Sequence, residues 1–100
     1  MIIVLGTYEV DAAERDRFLE TKAPQVASTR TERGCVDYAF SADPGDPTRV
    51  RLVERWESMD DLAAHVAGLR ATPAGDGPAV GSTIVEVEVF EAQPVRPPWA

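Results

Sequence analysis

An α+β fold, with a four-stranded antiparallel sheet and two helices on one face, is what the sequence predicts. Three observations carry that expectation. Period-two apolar alternation marks four segments, near-helical apolar spacing marks two, and the six follow one another as strand, helix, strand, strand, helix, strand. At 100 residues and 44% hydrophobic side chains, the chain is too short to split its apolar surface between two cores. One domain is expected over residues 1–92, with 93–100 as a Pro-rich tail.

The opening "MIIVLGTYEV" is rich in β-branched residues and carries Ile2, Val4, Tyr8 and Val10 on one face and Ile3 and Leu5 on the other. Both faces of this strand are therefore expected to be buried, as in a central strand. Asp11 and, three residues on, Glu14 have capping-box spacing with Asp in the Ser/Thr role, and Phe18, Leu19 and Val26 continue at helical spacing. A kink or break is expected near Pro24. In "GCVDYAFSA", Val36, Tyr38 and Phe40 alternate against Cys35, Asp37 and Ala39; "DPGDP" supplies turn residues, and "TRVRLVERWE" alternates again, which predicts a β-hairpin. Ser58 suits a helix N-cap, Asp60 and Asp61 a first turn, and Met59, Leu62, Val66 and Leu69 share a face. "ATPAGDGPAVGS" is too rich in Gly and Pro for a stable element and reads as a linker or a lid. The last strand, "TIVEVEVFEA", groups Val85, Val87 and Val89. In the tail, Trp99 is either a loose end or a clasp on a partner. This order is the split βαβ arrangement of a ferredoxin-like fold. Its open sheet face, bearing Ile3 and Leu5, is most simply covered by a second copy, giving a homodimer packed face to face.

A formal charge of −7, with ten scattered basic residues of which nine are Arg, disfavours nucleic acid and anionic membranes as partners. Cys35 is the only cysteine, so no internal disulfide is possible; no signal peptide or spanning segment is recognisable, and a cytoplasmic location is expected. Phosphate loops, dinucleotide fingerprints and zinc-type ligand sets are missing, so neither a cofactor nor a metal is predicted.

What remains is a pocket expectation. Trp56 ends a strand, and His65, the only histidine, falls near Leu62, Val66 and Leu69 on the helix that follows, so both rings are expected to border one cavity. Taken alone, a histidine on an apolar helix face is more often a satisfied core residue than a functional one, and a tryptophan more often still, so His65 and Trp56 also read as core. Glu54 shares the face of Leu52 and Trp56, where a carboxylate must be paired, with an Arg in the simplest case, or protonated, or used. Tyr38 either offers its hydroxyl to a substrate or packs, and Cys35 reads as a small apolar filler.

The stretch "ERGCVDYAFSADPGDPTRVRLVERWESMDDLAAH", Glu32 to His65, resembles the antibiotic biosynthesis monooxygenase domain, whose members show Glu, Gly, Cys and Tyr, a hairpin, "E-x-W-x-S" and a helix with an inward His. The resemblance implies a dimeric α+β barrel and a cofactor-independent enzyme that uses dioxygen to oxidise an electron-rich aromatic such as a quinol, anthrone or polyketide phenol. It implies His65 as hydrogen-bonding or proton-accepting group, Trp56 as the residue that stacks on substrate or positions dioxygen, and Tyr38 as a phenol anchor. One polyketide-oxidising branch carries Asn and Tyr where this chain has Leu52 and Leu62, so these positions would line the pocket as apolar walls beside Glu54. A haem-degrading branch uses Asn with Trp and His; this chain contains no asparagine. The alternative is a dimeric module that binds haem or an aromatic metabolite without turnover.

Overall fold

The computed structural model describes residues 1–72 and 80–100. Strand β1 (Ile2–Val10) is followed by a single 3₁₀ turn (Ala12–Glu14), helix α1 (Arg15–Thr29), strands β2 (Cys35–Ala42) and β3 (Arg49–Trp56), helix α2 (Met59–Ala71) and strand β4 (Ser82–Glu91). The strands form one antiparallel sheet in the order β2-β3-β1-β4, the ferredoxin-like topology expected from the element order. Residues 73–79, which hold most of the Gly- and Pro-rich segment read as a linker or lid, lie outside the described residues.

The main core joins Ile2, Val4, Tyr38, Leu52, Trp56 and Leu62, and a second cluster joins Val10, Phe18 and Val50. β3 supplies most of the floor because Val50, Leu52, Glu54 and Trp56 alternate with strict period two and all four are buried. α2 starts where the Ser58 hydroxyl accepts from the Asp61 amide at 3.1 Å, and Asp60 and Asp61 in the first turn complement the helix dipole. Gly34, at φ 78°, turns the chain from α1 into β2 beneath this cap. A side chain at this position would run into the Asp61 carboxylate.

Local details depart from the sequence expectation. α1 runs unbroken through Pro24, since a proline forfeits one backbone hydrogen bond and packing of α1 on β2 outweighs that loss. Asp11 does cap, accepting from the Ala13 amide at 2.9 Å, but Glu14 turns to Arg17 instead of completing a capping box. A bulge between Cys35 and Asp37 puts Val36 out toward solvent and brings Cys35 against the core, in the filler role expected of it. A second bulge, opposite Thr7 and Tyr8, separates Val85 from Val87 and Val89, which pair with Gly6 and Val4. On α2 the buried residues are Leu62 and His65, whereas Met59 and Leu69 are exposed. Within one chain Leu5 is 44% exposed, so only one face of β1 is covered, and Trp99 is 86% exposed.

Candidate active site

The buried face of β3 and the inward face of α2 meet at an aromatic and acidic cluster. His65 and Trp56 stack with centroids 4.9 Å apart and planes inclined by 34°, and the ring of Tyr38 meets His65 edge-on at 5.3 Å. His65 follows Leu62 by three residues on α2, which sets both side chains on the face that looks at the sheet. Its Nδ1 lies 3.0 and 3.1 Å from the two carboxylate oxygens of Glu32, just past the end of α1. That contact assigns the Nδ1 proton, so Nε2 is the nitrogen left to accept one, and it has no other partner among the described residues.

Trp56 is fully enclosed and donates its indole N–H to Glu54 Oε1 at 2.9 Å. The partner expected for Glu54, an Arg, is replaced by this indole, because the basic residues of β3 alternate onto the opposite face. Burial raises the Glu54 pKa above the ordinary carboxylate value, against the lowering effect of the Trp56 hydrogen bond and of His65. A raised folded-state pKa contributes stability that is complete below the unfolded value and is lost as pH rises through the folded one. Glu54→Gln keeps an acceptor for the indole and removes that titration. Chemical denaturation at stepped pH should show the variant gaining on wild type as pH rises above the usual carboxyl range; parallel curves would refute a buried, costly charge.

Tyr38 is buried, its hydroxyl accepts from Gln25 Nε2 at 2.7 Å, and burial raises its pKa well above that of a free phenol. Burial, then the nearby carboxylates, also push the Cys35 thiol up, which leaves no activated nucleophile there. Leu52 and Leu62 are core packing residues beside Trp56.

His65 lines two cavities. The larger, about 620 Å³, lies between α1 and α2 and includes Thr21, Gln25, Thr29, Glu32, Leu69 and Thr72 in its wall; the other, about 530 Å³, opens beside Ser58, Asp60 and Asp61. Both are large enough for a small ligand. The structure therefore unites His65, Trp56, Tyr38 and Glu54 in one cluster, yet of these only His65 forms part of either cavity wall. Glu32 and Gln25 were absent from the expected site. The signal was available: Phe18, Gln25, Thr29 and Glu32 fall at intervals of seven, four and three, so the inward stripe of α1 turns polar toward its end.

A family model, antibiotic biosynthesis monooxygenase, matches residues 1–70, which include every residue of this cluster. The chain belongs to the antibiotic biosynthesis monooxygenase family. Solved structures agree on the family fold across nearly the whole chain. A Deinococcus radiodurans protein assigned to antibiotic biosynthesis monooxygenases superposes with TM-score 0.72 at 19% identity, covering 97% of each chain. One from Nitrosomonas europaea with the same assignment gives 0.69 at 19% identity, over 92% of this chain and 98% of its own. The haem-degrader MhuD of Mycobacterium tuberculosis, with two haems in its active site, gives 0.69 at 16% identity, over 97% of this chain and all of its own. At these identities the likeness concerns the fold. No curated protein sequence matches the chain.

Proposed function

We propose that the protein is a cofactor-independent monooxygenase that oxidises an electron-rich phenol, of the quinol or anthrone type, with dioxygen. The observation that carries this reading is the His65–Glu32 pair: a 3% exposed imidazole held at Nδ1 by a carboxylate, on the wall of a cavity large enough for a planar aromatic. Such a pair is a general base, since the carboxylate orients the ring and stabilises the cation that forms when Nε2 takes a proton. The proton would come from the substrate hydroxyl. The resulting anion is electron-rich enough to pass one electron to triplet dioxygen, so the substrate supplies the redox chemistry. Trp56, closed off behind the imidazole, acts in this reading by fixing the plane of His65, and Tyr38 closes the ring's other edge.

An oxygen electrode tests the proposal. Uptake with protein and a quinol, above that of the quinol alone and with nothing else added, is the expected result; no excess uptake over a panel of quinols and anthrones would leave a module that binds an aromatic metabolite without turning it over. Haem suits the larger cavity poorly, because its propionates seek cationic partners and neither Lys nor Arg is among the described residues of that wall.

We also propose a homodimer packed through the open sheet face and a small aromatic molecule with dioxygen as the other partners. Register places Phe90 beside Ile3, on the same face as Leu5, and Phe90 and Leu5 are 42% and 44% exposed in one chain. Leu5→Asp should convert the dimer to monomer in sedimentation equilibrium without unfolding it; a wild-type chain that sediments as a monomer would remove the dimer. A cytoplasmic location remains part of this reading, and none of the described helices is long and apolar enough to cross a membrane.

A further inference from the structure

The wall of the larger cavity has a polarity of its own. Of its ten described lining residues, Glu32 and His65 are the only ionisable ones. Thr21 donates its hydroxyl proton to the Phe18 carbonyl at 2.6 Å, and Thr72 donates its own to the Gly68 carbonyl at 2.8 Å. Each hydroxyl has a single proton, so both threonines turn only lone pairs outward. Gln25 spends one amide N–H on Tyr38, which leaves Oε1 and the second N–H unused. Glu32 is an acceptor throughout, and with its Nδ1 proton held by Glu32, His65 has only the lone pair of Nε2 left. Ser28 and Thr29 have hydroxyls that can turn either way.

We infer that this cavity selects an uncharged aromatic ligand by its hydrogen-bond donors, requiring at least two O–H or N–H groups, and rejects the same skeleton bearing only carbonyl or carboxylate oxygens. The inference rests on the proposed function for the identity of the site and adds the rule by which the site discriminates. A quinol presents two donors to Thr21, Thr72, Gln25 and His65. The corresponding quinone can pair only with the second Gln25 N–H and the Ser28 and Thr29 hydroxyls and meets lone pairs at Thr21, Thr72, Glu32 and His65, so the wall favours the reduced molecule over the oxidised one. A carboxylate adds a charge that meets Glu32. The discrimination comes chiefly from His65, which is buried, and Glu32, which is half-buried, because these groups are stranded when a ligand brings them no donor, whereas the exposed Thr21 and Thr72 fall back on water.

The test is anaerobic titration calorimetry of the intact protein with four probes on one ring system: 1,4-naphthohydroquinone, its dimethyl ether, 1,4-naphthoquinone and 1,4-dihydroxy-2-naphthoic acid. The hydroquinone should bind about tenfold or more tightly than each of the other three. Thr21→Val and Thr72→Val should weaken hydroquinone binding while leaving the dimethyl ether unchanged, which separates the loss of an acceptor from the loss of the fold. Equal or tighter binding of the quinone, the ether or the carboxylic acid overturns the inference, as does failure of the hydroquinone to bind. Because the measurement needs no turnover, its outcome is distinct from that of the oxygen electrode. Donor-selective binding without oxygen uptake would retain the selection rule and discard the monooxygenase; uptake without selectivity would do the reverse.

Discussion

His65→Ala is expected to lower protein-dependent oxygen uptake about a hundredfold or more, the usual contribution of a positioned general base. The size follows from the site: the structure offers the cavity one imidazole whose second nitrogen is already anchored, and the other described groups in the larger cavity's wall are hydroxyls, an amide, a carboxylate and apolar side chains. Glu32→Gln is the sharper companion. It keeps the side chain's shape but offers an amide N–H₂ or a neutral oxygen to Nδ1, so the imidazolium formed on proton transfer loses its counter-charge. Turnover should fall with kcat reduced more than KM rises, because the imidazolium has lost its anionic neighbour. An E32Q variant with unchanged kcat would show that Glu32 merely packs. Uptake that survives both substitutions would take the proton-abstracting role away from the pair.

Trp56→Ala should destabilise the fold by about 3–5 kcal/mol, the range for emptying an aromatic site in a close-packed core. Here the indole is wholly buried among Ile2, Val4, Leu52 and Leu62, supports the His65 ring, and satisfies a carboxylate. The two contributions can be separated. Trp56→Phe retains much of the apolar volume but strands Glu54, at a cost of about 1–3 kcal/mol for a buried group without its partner. Glu54→Leu removes the acceptor that needs the indole. In a double-mutant cycle read by urea denaturation, the second change should recover part of the loss from the first. Additive effects would mean that the Trp56–Glu54 hydrogen bond contributes little and that the buried carboxyl finds other solvation. If oxygen uptake by Trp56→Phe equals that of wild type, the indole has no role in catalysis beyond bulk.

Much of the scaffold was legible because backbone periodicity is a local property. Period two in β3 named Val50, Leu52, Glu54 and Trp56 as one face, and all four are buried; Ser58 and the two aspartates after it announced the start of α2. Errors cluster where one residue changes the phase. The bulge beside Val36 exchanges it with Cys35, and the bulge near Val85 does the same on β4, because a single extra residue reverses every side chain beyond it. Pro24 did not break α1 for another reason: its cost is local, whereas the packing that offsets it comes from a strand farther along the chain.

The site divides along the same line. Its residue types, an inward histidine on α2 and a tryptophan closing β3, follow from spacing along single elements, and the resemblance through Glu32–His65 follows from their order. The sequence by itself determined the element order, the buried face of β3 and the family. Only the tertiary structure decided who partners whom: Glu32 with His65 across 33 positions, Gln25 with Tyr38 across 13, and the indole in place of an Arg for Glu54. Hydrogen bonds between elements depend on how α1 is laid over the sheet and how α2 meets it, and that geometry is the sum of many small packing terms that no short window of residues contains.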